Sequence, residues 1–335
     1  MKIVKQVAGI DVSKDTFHGC LGTINDEQQL HVLQQCSFDN SVKGFKLFEK
    51  WIGNYLNKEL PVWCVMEATG VYYENLAYFL AGQYKVSVLM PTKTKYFSKS
   101  LDIKSKTDKI DAAMLCRIGL ERICPQWTIP SPSLKELKGL CREYRVLKNN
   151  AAKIKVRLHA LTHSYEPLKT TLRRLQQQLK LIDAQVKQVE AEIHALIKSD
   201  DYLYRQFTNI EKVKGISTIT IATIVAETNA FACISNIKQL ASYAGLDVMM
   251  NQSGAYSGKT RISKKGNSHI RAALYPPAMS AIRCNLRLKQ FYQNLKARKE
   301  NGKIGLIAVV RKMLIMIYTL WKKEIEYDEM LNVVQ

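Results

Sequence analysis

A long heptad pattern in the middle of the chain constrains its fold more than any other feature. Apolar residues step by three and four from Leu137 to Leu161, and again from Leu168 to Leu196. This spacing places them on one face of a helix and predicts two coiled-coil arms. Pro167 lacks an amide donor and predicts a break between the arms. Two antiparallel arms within one chain, or a coil between chains, would both satisfy the pattern.

The arms separate two regions of different character, which predicts a multidomain protein of the α/β plus α class. Residues 1–130 alternate strand and helix patterns, as expected for a domain with a central mixed sheet. Residues 131–200 are the predicted coiled-coil assembly region, and a linker with three prolines at 125–132 precedes it. Residues 201–335 are predicted as a mainly α-helical domain.

Four carboxylates lie where apolar patterns end or helices begin. Asp11 lies at the end of the first predicted strand, and Glu67 ends the apolar run that starts at Val62. Asp108 and Asp111 lie three residues apart at a predicted helix start, so they share one face. Converging carboxylates repel one another unless divalent cations neutralise them, and two cations about 4 Å apart suit phosphodiester chemistry. The pattern therefore predicts a catalytic metal site.

Two simpler interpretations of these acids remain open. Each acid could be an ordinary solvated side chain on the surface. Acids at a helix start also complement the helix dipole without any metal, which explains Asp108 better than Asp111. Against the surface interpretation, Asp11 and Glu67 both end apolar runs, where a solvated acid has no packing role.

The charge of the chain indicates a polyanionic partner. Its 335 residues include 50 Lys and Arg against 29 Asp and Glu, a formal charge of +21. This excess is too large for a neutral metabolic enzyme. An anionic membrane surface is the competing partner, but no apolar run approaches the roughly 20 residues that span a bilayer. The N-terminus has no signal-peptide pattern, which favours a cytoplasmic protein.

The eight cysteines are scattered singly, with no C-x-x-C pair. Most lie in apolar contexts, among them Cys64, Cys116 and Cys233. The pattern predicts reduced, buried thiols and argues against a structural zinc site.

Basic residues occur along the whole chain, which favours a folded binding surface over a disordered arm, and two stretches stand out. From Pro91 onward, lysines alternate with Tyr96 and Phe97 and lead into Asp108, which predicts a phosphate-contacting loop beside the metal site or, alternatively, a merely solvated loop. A second basic group lies between Lys214 and Arg271. The predicted nucleic-acid-binding residues are Lys93, Lys95, Lys99, Lys104, Lys106, Lys214, Lys259, Arg261, Lys264, Lys265 and Arg271.

The C-terminal region contains two motifs that suit a phosphate backbone. The segment 212–222, with Gly215 at its turn, is typical of a helix-hairpin-helix, in which backbone amides hold a phosphate without reading bases. The loop 251–267 is rich in Ser, Gly, Lys and Arg. A serine beside glycine there, Ser253 or Ser257, is either a nucleophile towards phosphorus or part of a flexible loop.

Taken together, these motifs resemble the IS110 family of transposases, which are related to Piv-type site-specific DNA invertases. The N-terminal part of the resemblance is carried by Gly9–Lys14, Glu67–Gly70 and Lys106–Ala112. The C-terminal part is carried by Gly215, Gly245-Leu246, Gln252-Ser253-Gly254, Lys265-Gly266-Asn267 and Arg271. The resemblance covers nearly the whole chain, although Asp247-Val248 departs from the proline that the family commonly has near this point.

The resemblance implies an RNase H/RuvC-like domain whose acids bind Mg²⁺, with two ions expected. Asp11, Glu67, Asp108 and Asp111 match the metal ligands of the family. A serine of the C-terminal domain is expected to attack DNA and form a covalent phosphoserine link, and the offset from Gly245-Leu246 assigns this role to Ser253. Ser257 remains a rival on local sequence.

The resemblance also implies partners and a location. Donor and target DNA are the expected substrates, chosen by a structured noncoding guide RNA that the mobile element encodes. A homodimer or homotetramer in the bacterial cytoplasm, associated with the nucleoid and not with a membrane, is the expected form.

Two other functions stay open. One is a RuvC-like nuclease or junction resolvase, in which metal-activated water attacks and Ser253 only lines a phosphate pocket. The other is a degenerate nucleic-acid-binding protein without catalysis, against which the four intact acids argue.

Overall fold

The computed structural model describes residues 1–102, 105–254, 256–258, 260–298 and 301–327. The chain divides into two compact units, which we call the N-terminal unit (residues 1–129) and the C-terminal unit (residues 130–335).

A five-stranded mixed sheet forms the centre of the N-terminal unit. The strands are β1 (Ile3–Val12), β2 (Thr16–Asn25), β3 (Leu30–Asp39), β4 (Val62–Glu67) and β5 (Lys85–Leu89), in the spatial order β3-β2-β1-β4-β5. The first three strands form an antiparallel meander, whereas β4 and β5 are parallel to β1. The predicted mixed sheet is confirmed, and its strand order is compatible with an RNase H-like domain.

Helices cover both faces of this sheet. They are α1 (Val42–Tyr55), α2 (Glu74–Leu80), α3 (Pro91–Ser100) and α4 (Asp108–Glu121). Side chains of α1 and α2 pack with Ala8 and Ile10 on one face. On the other face α4 packs with Val7 and Val65. The alternation of Val7, Ala8, Gly9 and Ile10 between faces produces these two cores, because successive strand residues point in opposite directions.

The closest contact between a helix and the sheet depends on Gly9. A Cβ atom at this position would lie 2.1 Å from the backbone nitrogen of Cys116 and 2.3 Å from the carbonyl oxygen of Ala112. No side chain fits in that space, so glycine lets the backbone of α4 rest directly on β1. The contact fixes the first turn of α4 next to the end of β1.

The C-terminal unit is mainly helical. Its helices are α5 (Pro132–Thr162), α6 (Lys169–Lys198), α7 (Asp201–Glu211), α8 (Thr218–Glu227), α9 (Ile237–Tyr243), α10 (Ser268–Cys284), α11 (Leu286–Arg298) and α12 (Gly302–Lys323). Four two-residue strands, β6 (Val248–Met249), β7 (Gln252–Ser253), β8 (Tyr256–Ser257) and β9 (Arg261–Ile262), lie between α9 and α10. The apolar helix α8 is buried from Thr220 to Glu227 at the centre of the unit.

The two heptad arms are α5 and α6, which pack against each other within one chain. Of the two arrangements that satisfied the pattern, the hairpin within one chain is therefore present. Near the open end of the hairpin, Leu137, Cys141, Val189 and Ile193 join the core around α8. The structure thus groups the arms with the C-terminal helices, and the separate assembly region at 131–200 stays a prediction.

Three expectations differ from the structure. The basic segment after Pro91 was expected to be a loop, but most of it is the helix α3, with proline at its first turn where no amide donor is needed. Cys233 is exposed, whereas Cys64 and Cys116 are buried as predicted, and none of these three forms a disulfide among the described residues.

The third difference concerns hydrophobic length. Among the described helices, α12 is long and apolar enough to cross a bilayer, with a mean hydropathy of 1.8 over its most apolar window. Arg311 and Lys312 interrupt it in the sequence. Val309, Met313 and Leu320 are buried in the core of the C-terminal unit, as is usual for the core helix of a folded domain.

Candidate functional site

The strand pairing brings Asp11 and Glu67 to one edge of the sheet. Strands β1 and β4 are parallel, and their register pairs Ile10 with Met66. Asp11 and Glu67 are the next residues on each strand, so they lie at the same level. Because parallel strands of one sheet end on the same side, both carboxyl groups belong to the same edge.

The first turn of α4 supplies the other two acids. Thr107 caps the helix, and its side-chain oxygen accepts a hydrogen bond of 3.3 Å from the amide of Ile110. Asp108 and Asp111 follow in the first turn, where the partial positive charge of the helix end favours carboxylates. Since Gly9 lets α4 rest on β1, this turn lies beside Asp11.

The four acids influence one another electrostatically. The pKa of Asp11 is raised to about 6, mainly by burial and in addition by the charges of Asp111, Asp108 and Glu67, while Lys106 opposes the shift. Burial likewise raises the pKa of Asp111, with Lys106 opposing and the neighbouring acids contributing. Asp11 and Asp111 therefore each lie within electrostatic range of the other three predicted acids. That the four form a metal site stays a prediction.

Two threonines that sequence reasoning missed hold Glu67. The hydroxyl of Thr69 donates a 2.7 Å hydrogen bond to one carboxylate oxygen. The hydroxyl of Thr94, on α3, donates to the other. Thr94 is only 1% exposed. Thr94 is polar and is the one fully buried residue of α3, so hydrophobic periodicity could not have identified it.

A histidine also lies at this edge. His18 on β2 is the cross-strand partner of Asp11. Its Nδ1 atom lies 3.8 Å from Oδ2 of Asp108. His18 thus links two acids that come from different elements. The sequence offered one clue, since a histidine in the strand next to Asp11 falls on the same pairing level.

The donor set suits a hard divalent cation. Carboxylate oxygens are the ligands that Mg²⁺ prefers, and mutual repulsion among four acids is relieved by a bound cation. Among the described residues, no three His, Cys, Asp or Glu side chains already enclose a metal position. The residues present fit divalent metal, while the identity and number of ions stay predictions.

Ser253 lies in a short hairpin of the C-terminal unit. Strands β7 and β8 pair Gln252 with Ser257 and Ser253 with Tyr256. Gly254 follows Ser253 with a φ of +54°, a conformation that glycine adopts without strain. Ser253 is exposed, and its role as nucleophile stays a prediction. The side chain of Ser257 lies outside the described part of the chain.

The base of the loop that carries this hairpin is held firmly. Nη1 of Arg271 donates to the carbonyl oxygens of Ala244, Gly266 and Asn267 at 2.7, 3.1 and 3.3 Å. The amide of Asn267 donates to the carbonyl of Tyr243 at 2.7 Å. Arg271 therefore has a structural contact, and its predicted contact with nucleic acid stays a prediction.

The predicted basic residues are placed as follows. Lys93, Lys95 and Lys99 are exposed on α3, Lys106 is exposed before α4, and Lys214 is exposed in the turn between α7 and α8, where Gly215 has a φ of +100°. Arg261, Lys264 and Lys265 are exposed, while Lys104 and Lys259 lie outside the described residues. The helix-hairpin-helix assignment stays a prediction.

Comparison with known proteins identifies two matching transposase families. A family labelled DEDD transposase of IS110 and described as "Transposase" matches residues 8–167. The "Transposase IS116/IS110/IS902 family" matches residues 208–293. The first range contains the four acids, and the second contains Ser253.

Full-length relatives agree with these matches. The "Pilin gene-inverting protein" of Moraxella lacunata is 29% identical, covering 98% of this chain and 99% of that protein, and its namesake in Moraxella bovis gives the same values. Among solved structures, the Aquifex aeolicus PPX-GPPA enzyme has 12% identity and a TM-score of 0.23, covering 96% of this chain and 94% of that one. That similarity is too low to carry an argument.

The two family matches are distinct ranges of one kind of transposase, in the order that the sequence motifs indicated. The relatives extend the likeness over nearly the whole chain. This chain belongs to the IS110 family of DNA transposases.

Proposed function

We propose that this transposase cuts and rejoins DNA through a covalent phosphoserine intermediate, with Ser253 as nucleophile and a divalent-metal site at Asp11, Glu67, Asp108 and Asp111. The observation that carries the proposal is the convergence of the four acids, whose mutual repulsion and burial raise the pKa of Asp11 to about 6. A site that concentrates negative charge in this way is suited to cations and the phosphates they accompany.

Mg²⁺ is the proposed cofactor, as two ions. When bound, it would polarise the scissile phosphate and stabilise the charge that develops during attack. Asp11 and Glu67 would hold it from the sheet edge, and Asp108 and Asp111 from α4. Thr94 and Thr69 orient the carboxylate of Glu67, as outer partners of metal ligands commonly do.

Ser253 would carry out the covalent step. Its hydroxyl oxygen forms a bond to phosphorus while the bond from phosphorus to the departing sugar oxygen breaks. The serine proton is lost to solvent, and the departing oxygen takes up a proton from solvent and leaves as a hydroxyl. A sugar hydroxyl of the second DNA strand then attacks the phosphoserine and restores the serine. Two observations support this role. The hairpin position is exposed, which gives access to DNA, and the base of the loop is held by hydrogen bonds, which helps to keep the nucleophile in a defined position.

Lysines beside the acids would bind the DNA backbone. Lys93, Lys95 and Lys99 are exposed on α3, whose Thr94 contacts Glu67, so their charges lie next to the acidic edge. Phosphate contacts of this kind position DNA without reading its sequence. We propose that a structured guide RNA encoded by the element supplies the sequence choice, and that the protein acts as a dimer or tetramer in the cytoplasm, at the nucleoid.

The competing function is a metal-dependent nuclease or junction resolvase in which water attacks. The same acids serve both functions, so only the covalent adduct separates them. The test is to trap that adduct on a labelled DNA junction with full-length protein and to map it by peptide mass spectrometry.

Ser253→Ala should abolish the adduct and strand transfer, whereas Ser257→Ala, the matched control, should retain both. An adduct that persists in Ser253→Ala but disappears in Ser257→Ala would move the nucleophile to Ser257. Cleavage without an adduct in both variants would favour the nuclease.

A further inference from the structure

A buried glutamate organises a group of cations in the C-terminal unit. Glu227, at the end of α8, is 3% exposed. Arg142 on α5 donates to its two carboxylate oxygens at 2.7 and 3.1 Å. The side-chain amide of Asn267 donates to one of them at 2.8 Å. Nδ1 of His269 lies 4.0 Å from the other.

Three cations of α5 gather around Glu227 and its neighbour His269. Lys138, Arg142 and Arg145 are spaced four and three residues apart on α5, so they share one helix face. The charges of Arg142 and Lys138 act on Glu227. Burial lowers the pKa of His269, Glu227 opposes this, and the charges of Arg145, Arg142 and Lys138 lower it further. Arg145 thus belongs to this basic face.

Arg145 is the member of this group with an unmet hydrogen-bonding requirement. Its side chain is half-buried, and its Nη1 atom is fully buried without a hydrogen-bond acceptor among the described residues. A buried donor without an acceptor is costly, and a charged one more so. A buried donor of this kind calls for an acceptor that the chain itself does not supply, such as a water or an anion.

The N-terminus of α10 is close to these cations but is not itself the anion-binding element. The side-chain oxygen of Asn267 already accepts from the amides of His269 and Ile270, at 2.8 and 3.3 Å, and so caps α10. The guanidinium group, rather than free backbone amides, is the anion-binding element here. A guanidinium fork matches two oxygens of a phosphate, and the chain carries a formal charge of +21.

We propose that Arg145, with Lys138 and Arg142 beside it, forms a binding site for one backbone phosphate of nucleic acid. The site belongs to the C-terminal unit alone and involves none of the basic residues that the sequence pattern indicated. It does not depend on which group attacks the DNA. Glu227 holds Arg142 in place, and Arg145 makes the phosphate contact.

The test measures the salt dependence of nucleic-acid affinity with full-length protein, on a duplex DNA and on a structured RNA. For duplex DNA each phosphate contact contributes about 0.9 to the slope of log K against log salt. Arg145→Ala should reduce the slope by about 0.9 on DNA, with a corresponding loss on RNA if that is the occupant. Arg145→Lys should keep most of the slope because it keeps the charge.

Arg157→Ala is the matched control, because it removes the same charge from α5 about 18 Å further along the axis. Its slope should stay that of the wild type. Equal losses in both alanine variants would indicate diffuse attraction, and unchanged slopes on both nucleic acids would assign Arg145 a structural role. Either result would overturn the proposal.

Inorganic phosphate distinguishes a free anion from a nucleic-acid phosphate. Thermal unfolding is followed in phosphate and in chloride of equal ionic strength. If phosphate stabilises the wild type but not Arg145→Ala while the slopes of the two proteins are equal, the site takes a free anion and the nucleic-acid proposal is wrong. A reduced slope supports the proposal whether or not free phosphate stabilises the protein.

Discussion

At the scale of single residues, the acidic edge depends on one hydroxyl that no carboxylate pattern reveals. The buried hydroxyl of Thr94 donates to Glu67 and ties α3 to it. Thr94→Val keeps the shape of the side chain but removes this bond. We expect strand transfer to fall about 10–100-fold, as is common when an outer partner of a metal ligand is lost. The rate should be measured over a range of Mg²⁺ concentrations.

The control for this change is Thr92→Val, on the exposed face of the same helix. It should leave the rate unchanged. Equal rates for Thr94→Val and the wild type at every Mg²⁺ concentration would mean that Glu67 needs no such support.

A second residue-scale prediction concerns Gly9. In Gly9→Ala the new methyl group would meet backbone atoms of α4 at 2.1 and 2.3 Å, so the helix must move off the sheet. Overpacking of this kind costs about 1–3 kcal/mol, occasionally more. Urea unfolding should show this loss, and the displaced first turn of α4 should reduce strand transfer as well.

Gly53→Ala is a control in which the stability is expected to rise rather than fall. Gly53 lies in α1, and no atom lies within 4 Å of its added methyl group. Alanine is a better helix former by about 0.5–1 kcal/mol, so this variant should be more stable than the wild type. Similar unfolding free energies for both variants would contradict the close contact at Gly9.

The four acids were predictable from sequence because each has a local marker. Asp11 and Glu67 end apolar runs. Thr107 is an N-cap residue that marks the start of the helix containing Asp108 and Asp111. Thr94 has no such marker, and the only clue to His18 is its pairing level with Asp11. Their roles arise from the packing of α3 and the register of β2, which only the folded chain determines.

At the scale of secondary-structure elements, strand β2 was hard to predict from the sequence. The glycines at 19 and 22 weaken its strand pattern, and they are needed because Phe48 and Cys116 occupy the space that side chains would fill. The helix α3 was hidden for a related reason, since a helix with a single buried residue has almost no apolar periodicity. Long amphipathic helices such as α5 and α6 were predictable because the apolar spacing of three and four residues recurs many times along each.

The contact between α5, α8 and α10 leads to a pH prediction. Burial alone would raise the pKa of Glu227, but hydrogen bonds from Arg142 and Asn267 outweigh it and hold the pKa below its ordinary value. A lowered pKa in the folded state adds stability above the ordinary glutamate pKa of about 4.3, which is lost as the pH falls through the folded value.

Glu227→Gln should therefore be less stable than the wild type at pH 7, by about 1–3 kcal/mol. The difference should shrink below about pH 4. Chemical unfolding at several pH values measures it, with Glu192→Gln, an exposed glutamate on α6, as the control without effect. A difference that is constant from pH 7 to acid would contradict a charged Glu227 in the folded protein.

At the scale of the whole molecule, association between subunits through the helical hairpin would have to use the hairpin's outer surface. Its seam is used within the chain, whereas Val156 is 71% exposed. We predict that Val156→Asp lowers the particle mass in light scattering and leaves the unfolding midpoint unchanged. Leu147→Asp, in the half-buried seam, should instead lower the midpoint. An unchanged mass in Val156→Asp would mean that subunits associate through another surface.

The central claim is that the four acids form one metal-dependent catalytic site. Strand transfer on labelled DNA with Mg²⁺, measured for Asp11→Asn and Glu67→Gln beside DNA affinity, tests it most directly. Glu59→Gln, which removes an exposed carboxylate from the same unit, is the control. We predict that both site variants lose strand transfer but bind DNA as well as the wild type, while the control retains full activity. Full activity of Glu67→Gln with Mg²⁺ would contradict the account.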